Sequence, residues 1–230
     1  MSKLLAIGIN YTGTSNELKG CVNDVKDISD LYEKLYDVKD IMMLADNGLN
    51  ISPTKQNILN GINWLVSNNK PNTQLFFHYS GHGSQVIDRN GDENDNKDEC
   101  VIALDGTITD DELRIKLVDC VKDCSLFCVF DCCSSGTILD LDSKKSCLCF
   151  PSKIICISGC LDSQTSADTY INNKYCGALT HCLITCLQLN NNPEILVLHD
   201  SISRMLSKFK FTQTCTLSVT NSVDVSKKLF

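Results

Sequence analysis

The feature that most constrains this chain is a series of short apolar runs, spaced by segments of helical period. Residues 4–9, 41–44, 74–79, 126–130 and 154–157 are each four to six residues long and rich in Ile, Leu, Val and Phe. A run with no polar face belongs in a sheet covered on both sides. Between the runs, Val25, Ile28, Leu31 and Leu35, and then Ile58, Ile62, Leu65 and Val66, recur at helical spacing. Strand–helix alternation of this kind predicts an α/β fold, a mostly parallel central sheet flanked by helices on both faces. Ser52 and Pro53 are expected to open the second helix, with Ser52 as its cap. Thr109 and Glu112 form a capping-box pair for a helix running to Leu117. Further strands are expected at 101–104 and 214–219, and helices at 178–187 and 195–209.

Composition narrows the function classes. The 230 residues carry a formal charge of −7, and no Lys/Arg cluster exceeds two residues, which argues against a nucleic-acid partner. The acidity is local: Asp88, Asp92, Glu93, Asp95, Asp98 and Glu99 favour a cation instead. The loop Asp88-x-Asn90-x-Asp92 with Glu99 mimics an EF-hand, but Glu93 stands where that loop needs Gly. No apolar run reaches membrane-span length, and the N-terminus shows no signal-peptide pattern, so no membrane partner and a cytoplasmic location are expected. The 15 cysteines then read as reduced thiols. Cys147-x-Cys149 and Cys156-x-x-x-Cys160 lack a matching pair at zinc spacing, and no Cys-x-x-Cys motif supports a redox role.

Sites in open parallel sheets form beyond the carboxyl ends of the strands. After the run at 74–79 comes Tyr79-Ser80-Gly81-His82-Gly83-Ser84-Gln85; after 126–130 comes Asp131-Cys132-Cys133-Ser134-Ser135-Gly136. A histidine between glycines and a thiol ahead of a flexible turn have the chemistry of a base and a nucleophile. The amides of Gly83 and of the Cys133 turn are candidates to hold a developing oxyanion. Either residue alone reads as a solvated histidine or a packing cysteine. Together they stand 51 residues apart, the separation of caspase-type peptidases, although the caspase Gln-Ala-Cys signature is absent.

The same motifs carry a family resemblance. Residues 4–11, Leu18-Lys19-Gly20-Cys21-Val22-Asn23-Asp24-Val25, Tyr79–Gln85, the run 88–101, 131–137, 157–168 and Gly177-Ala178-Leu179-Thr180 occur in the order found in metacaspases, and the chain resembles that family over almost its whole length. Metacaspases are caspase-like cysteine peptidases of the caspase–haemoglobinase fold. The resemblance implies His82 as general base and Cys133, rather than Cys132, as nucleophile. It implies cleavage after Arg or Lys, which physically requires an acidic pocket. The family pattern puts Asp24 and Asp131 in that pocket, lined by Cys21 and Ser80. It also implies calcium activation, with Asp98, Asp110, Asp111 and Asp140 as oxygen ligands. For Asp110 and Asp111 a simpler role competes, since acids favour a helix's first turn without any metal.

On this resemblance residues 1–230 are expected to form one catalytic domain. It comprises a large-subunit-like part (1–140), an exposed linker (141–152) and a small-subunit-like part (153–230), and it is expected to be a monomer acting on protein or peptide substrates with a basic residue before the scissile bond. Lys144 and Lys145 are the expected self-cleavage site. One departure stands out: Ser134 replaces the histidine of the family's Asp-x-Cys-His-Ser-Gly motif. That change motivates a rival expectation, a weakened or inactive pseudo-enzyme that binds peptides without cleaving them.

Overall fold

The computed structural model describes residues 2–88, 91, 96–118, 124–133, 138, 139, 141, 153–160 and 168–230. Its centre is a six-stranded sheet of β1 (Lys3–Gly8), β2 (Asp40–Ala45), β3 (Gln74–Ser80), β7 (Ser125–Asp131), β8 (Lys153–Ser158) and β11 (Thr216–Val219), in the order β11-β8-β7-β3-β1-β2. All neighbours pair in parallel except β11, which runs antiparallel to β8. The elements between them are α1 (Cys21–Tyr36), α2 (Lys55–Val66), β4 (Gly83–Ile87), β5 (Lys97–Ala103), β6 (Gly106–Thr109), α3 (Asp110–Val118), β9 (Asp168–Ile171), β10 (Lys174–Gly177), α4 (Ala178–Leu189) and α5 (Ile195–Lys208).

Alternate residues of each central strand feed opposite cores, as the pleat demands. Leu5, Ile7, Leu75, Phe77, Tyr79, Leu126, Cys128 and Phe130 pack with Ile58, Ile62 and Leu65 of α2 and Leu113 and Leu117 of α3. Leu4, Ala6, Phe76, Phe127 and Val129 pack on the other face with α1, α4 and α5. Both faces of β7 are buried, which is why its sequence shows no polar alternation.

Thr109 and Glu112 form the expected reciprocal cap: the Thr109 amide donates to Glu112 Oε2 (3.2 Å) and the Glu112 amide to Thr109 Oγ1 (3.3 Å). The cap of α2 differs from expectation. It is Thr54, whose Oγ1 accepts the Asn57 amide at 3.2 Å, and not Ser52. Pro53 precedes the cap, and its carbonyl accepts the Leu104 amide (3.2 Å) beside β5. The strand expected at 101–104 starts earlier, and it belongs to a separate antiparallel sheet β4-β5-β6 rather than to the centre. Leu141, the first residue of the expected linker, is buried; 142–152, with Lys144 and Lys145, lie outside the described residues. Among the described residues no helix is long and apolar enough to cross a membrane.

Candidate active site

The register of β3 against β7 pairs Ser80 with Asp131, so the two chains leave the sheet side by side. Just beyond, the Gly81 amide reaches the Asp131 carbonyl (3.4 Å). Gly83 then presses onto the Cys133 turn so closely that a Cβ there would overlap the Cys133 carbonyl oxygen and lie 3.2 Å from Cys132 Sγ. Only glycine allows that approach. The two segments that carry His82 and Cys133 are thereby brought together. The two thiols differ in surroundings: Cys132 is fully buried in the α2-side core, whereas Cys133 is partly exposed. Cys133 is thus the thiol of the pair that reaches solvent, and accessibility is what a nucleophile needs.

His82 is held from several sides. Its amide donates to Tyr11 Oη (2.9 Å), and its carbonyl accepts from Tyr79 Oη (2.8 Å) and from the Ile102 amide (3.1 Å). The Tyr11 ring lies 4.6 Å from the imidazole. Nε2 of His82 sits 2.7 Å from the Asn16 carbonyl. A carbonyl only accepts, so this nitrogen carries the proton and Nδ1 is left as the basic one.

The four residues expected around an acidic pocket also converge. Asp24 comes from the first turn of α1, Asp131 from the end of β7, Ser80 from the end of β3 and Cys21 from the start of α1; all are buried. Ser80 Oγ donates to Asp24 Oδ2 (2.7 Å), and the Gly177 amide donates to both Asp24 oxygens (3.0 Å each). Thr180 gives Asp131 Oδ2 two donors, its amide and its hydroxyl, each at 2.8 Å. Gly177 separates the two acids: a Cβ there would overlap Asp131 Oδ2 and lie 2.9 Å from Asp24 Oδ2. Burial, and then the charge of Asp131, push the Asp24 carboxyl well above the usual carboxylate range, against the lowering pull of its bonds to Ser80 and Gly177. Burial and then Asp24 push the Cys21 thiol up, and burial followed by the same two acids raises Cys176 to about 12.

The sequence reading gave no role to Asn16 or His78, and it held Tyr11, Gly177 and Thr180 only as members of motif runs. His78 is buried beside Thr180, with Nε2 3.0 Å from Thr180 Oγ1. Its burial drives its pKa down to about 3. Gly177 and Thr180 lie in one of the motif runs, but only the fold shows what they touch.

The candidate calcium ligands are less closely gathered. Asp98 lies on β5, and Asp110 and Asp111 begin α3 directly after β6, whose Thr109 pairs with Cys100. Asp111 is engaged by Arg114 (2.8 Å) and its amide by Asp110 Oδ1 (2.8 Å), the helix-start role that acids fill without metal. Asp140 and Ser134 lie outside the described residues, as does most of the acidic loop. Among the described residues no three His, Cys, Asp or Glu side chains cluster as a metal site. Negative charge does gather there: Cys100 is raised to about 11, by burial first and then, against its bond to the Ser84 carbonyl, by Asp110, Glu99 and Asp98. The donors are hard carboxylate oxygens, the type calcium takes.

The family model for the metacaspase, peptidase C14 domain matches residues 2–142. Metacaspase-1 of Schizosaccharomyces pombe is 34% identical over 97% of this chain and 68% of its own length. Metacaspase-1 of Meyerozyma guilliermondii is 33% identical over 97% of this chain and 70% of its length. A crystal structure of a Geobacter sulfurreducens protein superposes with a TM-score of 0.77 at 22% identity, over 98% of this chain and 96% of that one, which speaks for the fold.

Proposed function

The chain belongs to the metacaspase family of caspase-like cysteine peptidases, and from that premise we propose that it is an endopeptidase cleaving after Arg or Lys, with Cys133 as nucleophile, His82 as base and calcium as activator. The observation that carries the specificity is the pair of buried carboxylates, Asp24 and Asp131, on either side of Gly177 at the strand ends. Two acids held so close are costly without a cation, and the guanidinium or ammonium of a basic side chain supplies one.

In the proposed reaction, Nδ1 of His82 takes the Cys133 proton as the sulfur adds to the scissile carbonyl. The Asn16 carbonyl keeps Nε2–H in place and steadies the ring as it becomes positive. The amides of Gly83 and of the Cys133 turn face the oxyanion. Collapse expels the amine, which leaves with the proton from His82, and a thioester remains. Water, giving its proton to His82, then frees the acid and restores the thiol. Asp98, Asp110, Asp111 and Asp140 are the residues that would hold calcium, which would supply positive charge against the carboxylates beside the β5–β6 hairpin.

The test is hydrolysis of fluorogenic peptides ending in Arg, Lys or Asp, with and without calcium. Cleavage after Arg and Lys, dependent on calcium, lost in Cys133→Ala and kept in Cys132→Ala, is expected. Full activity in Cys133→Ala, or cleavage only after Asp, overturns the proposal.

A further inference from the structure

The buried His78 does work that the proposed reaction leaves unassigned. Residues Phe76, His78 and Ser80 share one face of β3. Ser80 meets Asp24 of α1, while His78 meets Thr180 of α4. The hydrogens along the second path can be assigned. Thr180 Oγ1 lies 2.8 Å from Asp131 Oδ2 and 3.0 Å from His78 Nε2. If the hydroxyl proton points at the carboxylate, only a lone pair remains for the imidazole, so Nε2 must be the protonated nitrogen. A neutral ring has one such proton, leaving Nδ1 bare, and Nδ1 is indeed buried with no hydrogen-bond partner among the described residues. A ring protonated on both nitrogens would bury an unmet donor instead, at higher cost. An apolar side chain would leave no orphaned atom at all in this position. The imidazole therefore points to a use for its other nitrogen, Nε2.

We infer that His78 is a positioning residue for substrate selection: through Thr180 it fixes the hydroxyl as a donor to Asp131 and so locks that carboxylate in the pocket that receives the basic side chain. Nε2–H holds the Thr180 hydroxyl in one rotamer, and with the Thr180 amide this gives Asp131 Oδ2 two aligned donors. One element of the relay also serves the reaction, since β3 ends at Ser80, two residues before His82. The inference rests on the reading of Asp131 as part of a basic-side-chain pocket.

The experiment measures the affinity of a short peptide ending in argininal, and of the matching leucinal, in wild type, His78→Leu, His78→Gln, Thr180→Val, Thr180→Ser, the His78→Leu/Thr180→Val double variant and Asp131→Asn. His78→Leu and Thr180→Val are each expected to weaken argininal about tenfold, the scale of one buried hydrogen bond to a charged group, with leucinal unmoved. The double variant is expected to lose no more than either single one, since both break one chain of bonds. His78→Gln and Thr180→Ser, which keep the donor and the hydroxyl, are expected to restore affinity. In a nitrogen-15 spectrum of labelled histidine, the resonance lost in His78→Gln is expected to be a neutral ring protonated on Nε2. A ring protonated on Nδ1, or equal losses for argininal and leucinal, overturns the relay. So does an unchanged argininal affinity in His78→Leu beside a loss in Asp131→Asn. If Asp131→Asn itself leaves argininal unchanged, the pocket reading fails first and takes the relay with it.

Discussion

Gly177 shows how closely this site is drawn. Its amide feeds both oxygens of Asp24, and its missing Cβ leaves room for Asp131. Gly177→Ala is expected to push the two carboxylates apart, raising KM for basic peptides tenfold or more and costing about 1–3 kcal/mol of stability; peptide kinetics and thermal unfolding read the two effects. The same acid pair sets a pH dependence. Burial and Asp131 hold Asp24 above the ordinary carboxylate range when folded. A raised pKa stabilises the fold below that ordinary range, and the contribution drains away as pH rises through the raised value. Asp24→Asn removes this titration. The variant is expected to unfold at higher temperature than wild type near about pH 8, with the gap closing toward about pH 5, while basic-peptide cleavage is lost. Converging heat-unfolding profiles across that range check the sign, and parallel profiles would refute it. Sequence motifs brought Asp24, Ser80 and Asp131 into view, because residue type and family order suffice to select them. They were silent on His78 and Asn16. The first was one apolar-strand histidine among neighbours, and the second acts through its carbonyl, which any residue possesses.

Among the elements, those with a strong hydrophobic period were legible and those without it were not. β1, β3, β7 and β8 read directly because both of their faces are buried. The capping box of α3 read directly because it is a local exchange of two hydrogen bonds. Thr109→Ala is expected to cost about 0.5–2 kcal/mol, since it removes the hydroxyl that caps the helix; denaturant unfolding measures it. β4, β6, β9 and β10 were missed: β4 and β9 have no buried residue, and β6 and β10 are only four residues long. Yet β10 delivers Gly177, and β4 begins at Gly83. The loop between β3 and β4 depends on a contact just as hidden, the Tyr11 hydroxyl that accepts the His82 amide and donates to the Ile102 carbonyl (2.7 Å). Tyr11→Phe leaves the ring and removes both bonds. It is expected to lower kcat about tenfold with KM nearly unchanged, because the loop that aims the base is loosened while the acid pocket is not touched. A matching rise in KM would place Tyr11's effect in the pocket instead.

Across the whole molecule, the acidic hairpin and the His82 loop are one mechanical unit. β5 carries Asp98 near its start and Ile102 near its end. Ile102 meets the loop directly, its amide donating to the His82 carbonyl (3.1 Å), and indirectly, its carbonyl accepting from Tyr11 (2.7 Å), whose hydroxyl takes the His82 amide. In the proposed activation, charge neutralised at Asp98 would reach the proposed base along β5, which runs from Asp98 to Ile102. Calcium that binds the folded state alone also stabilises it, by about 2.7 kcal/mol at a hundredfold excess over Kd. Two readouts then separate binding from its consequence. Wild type is expected to gain both Tm and kcat on calcium addition, and chelation is expected to reverse both. Asp98→Asn is expected to lose both gains. Tyr11→Phe, whose acids are intact, is expected to keep the rise in Tm but lose much of the rise in kcat, since the strand is steadied while its hold on the loop is cut. If Tyr11→Phe keeps the full gain in kcat, the hairpin acts on the reaction by another route than Ile102.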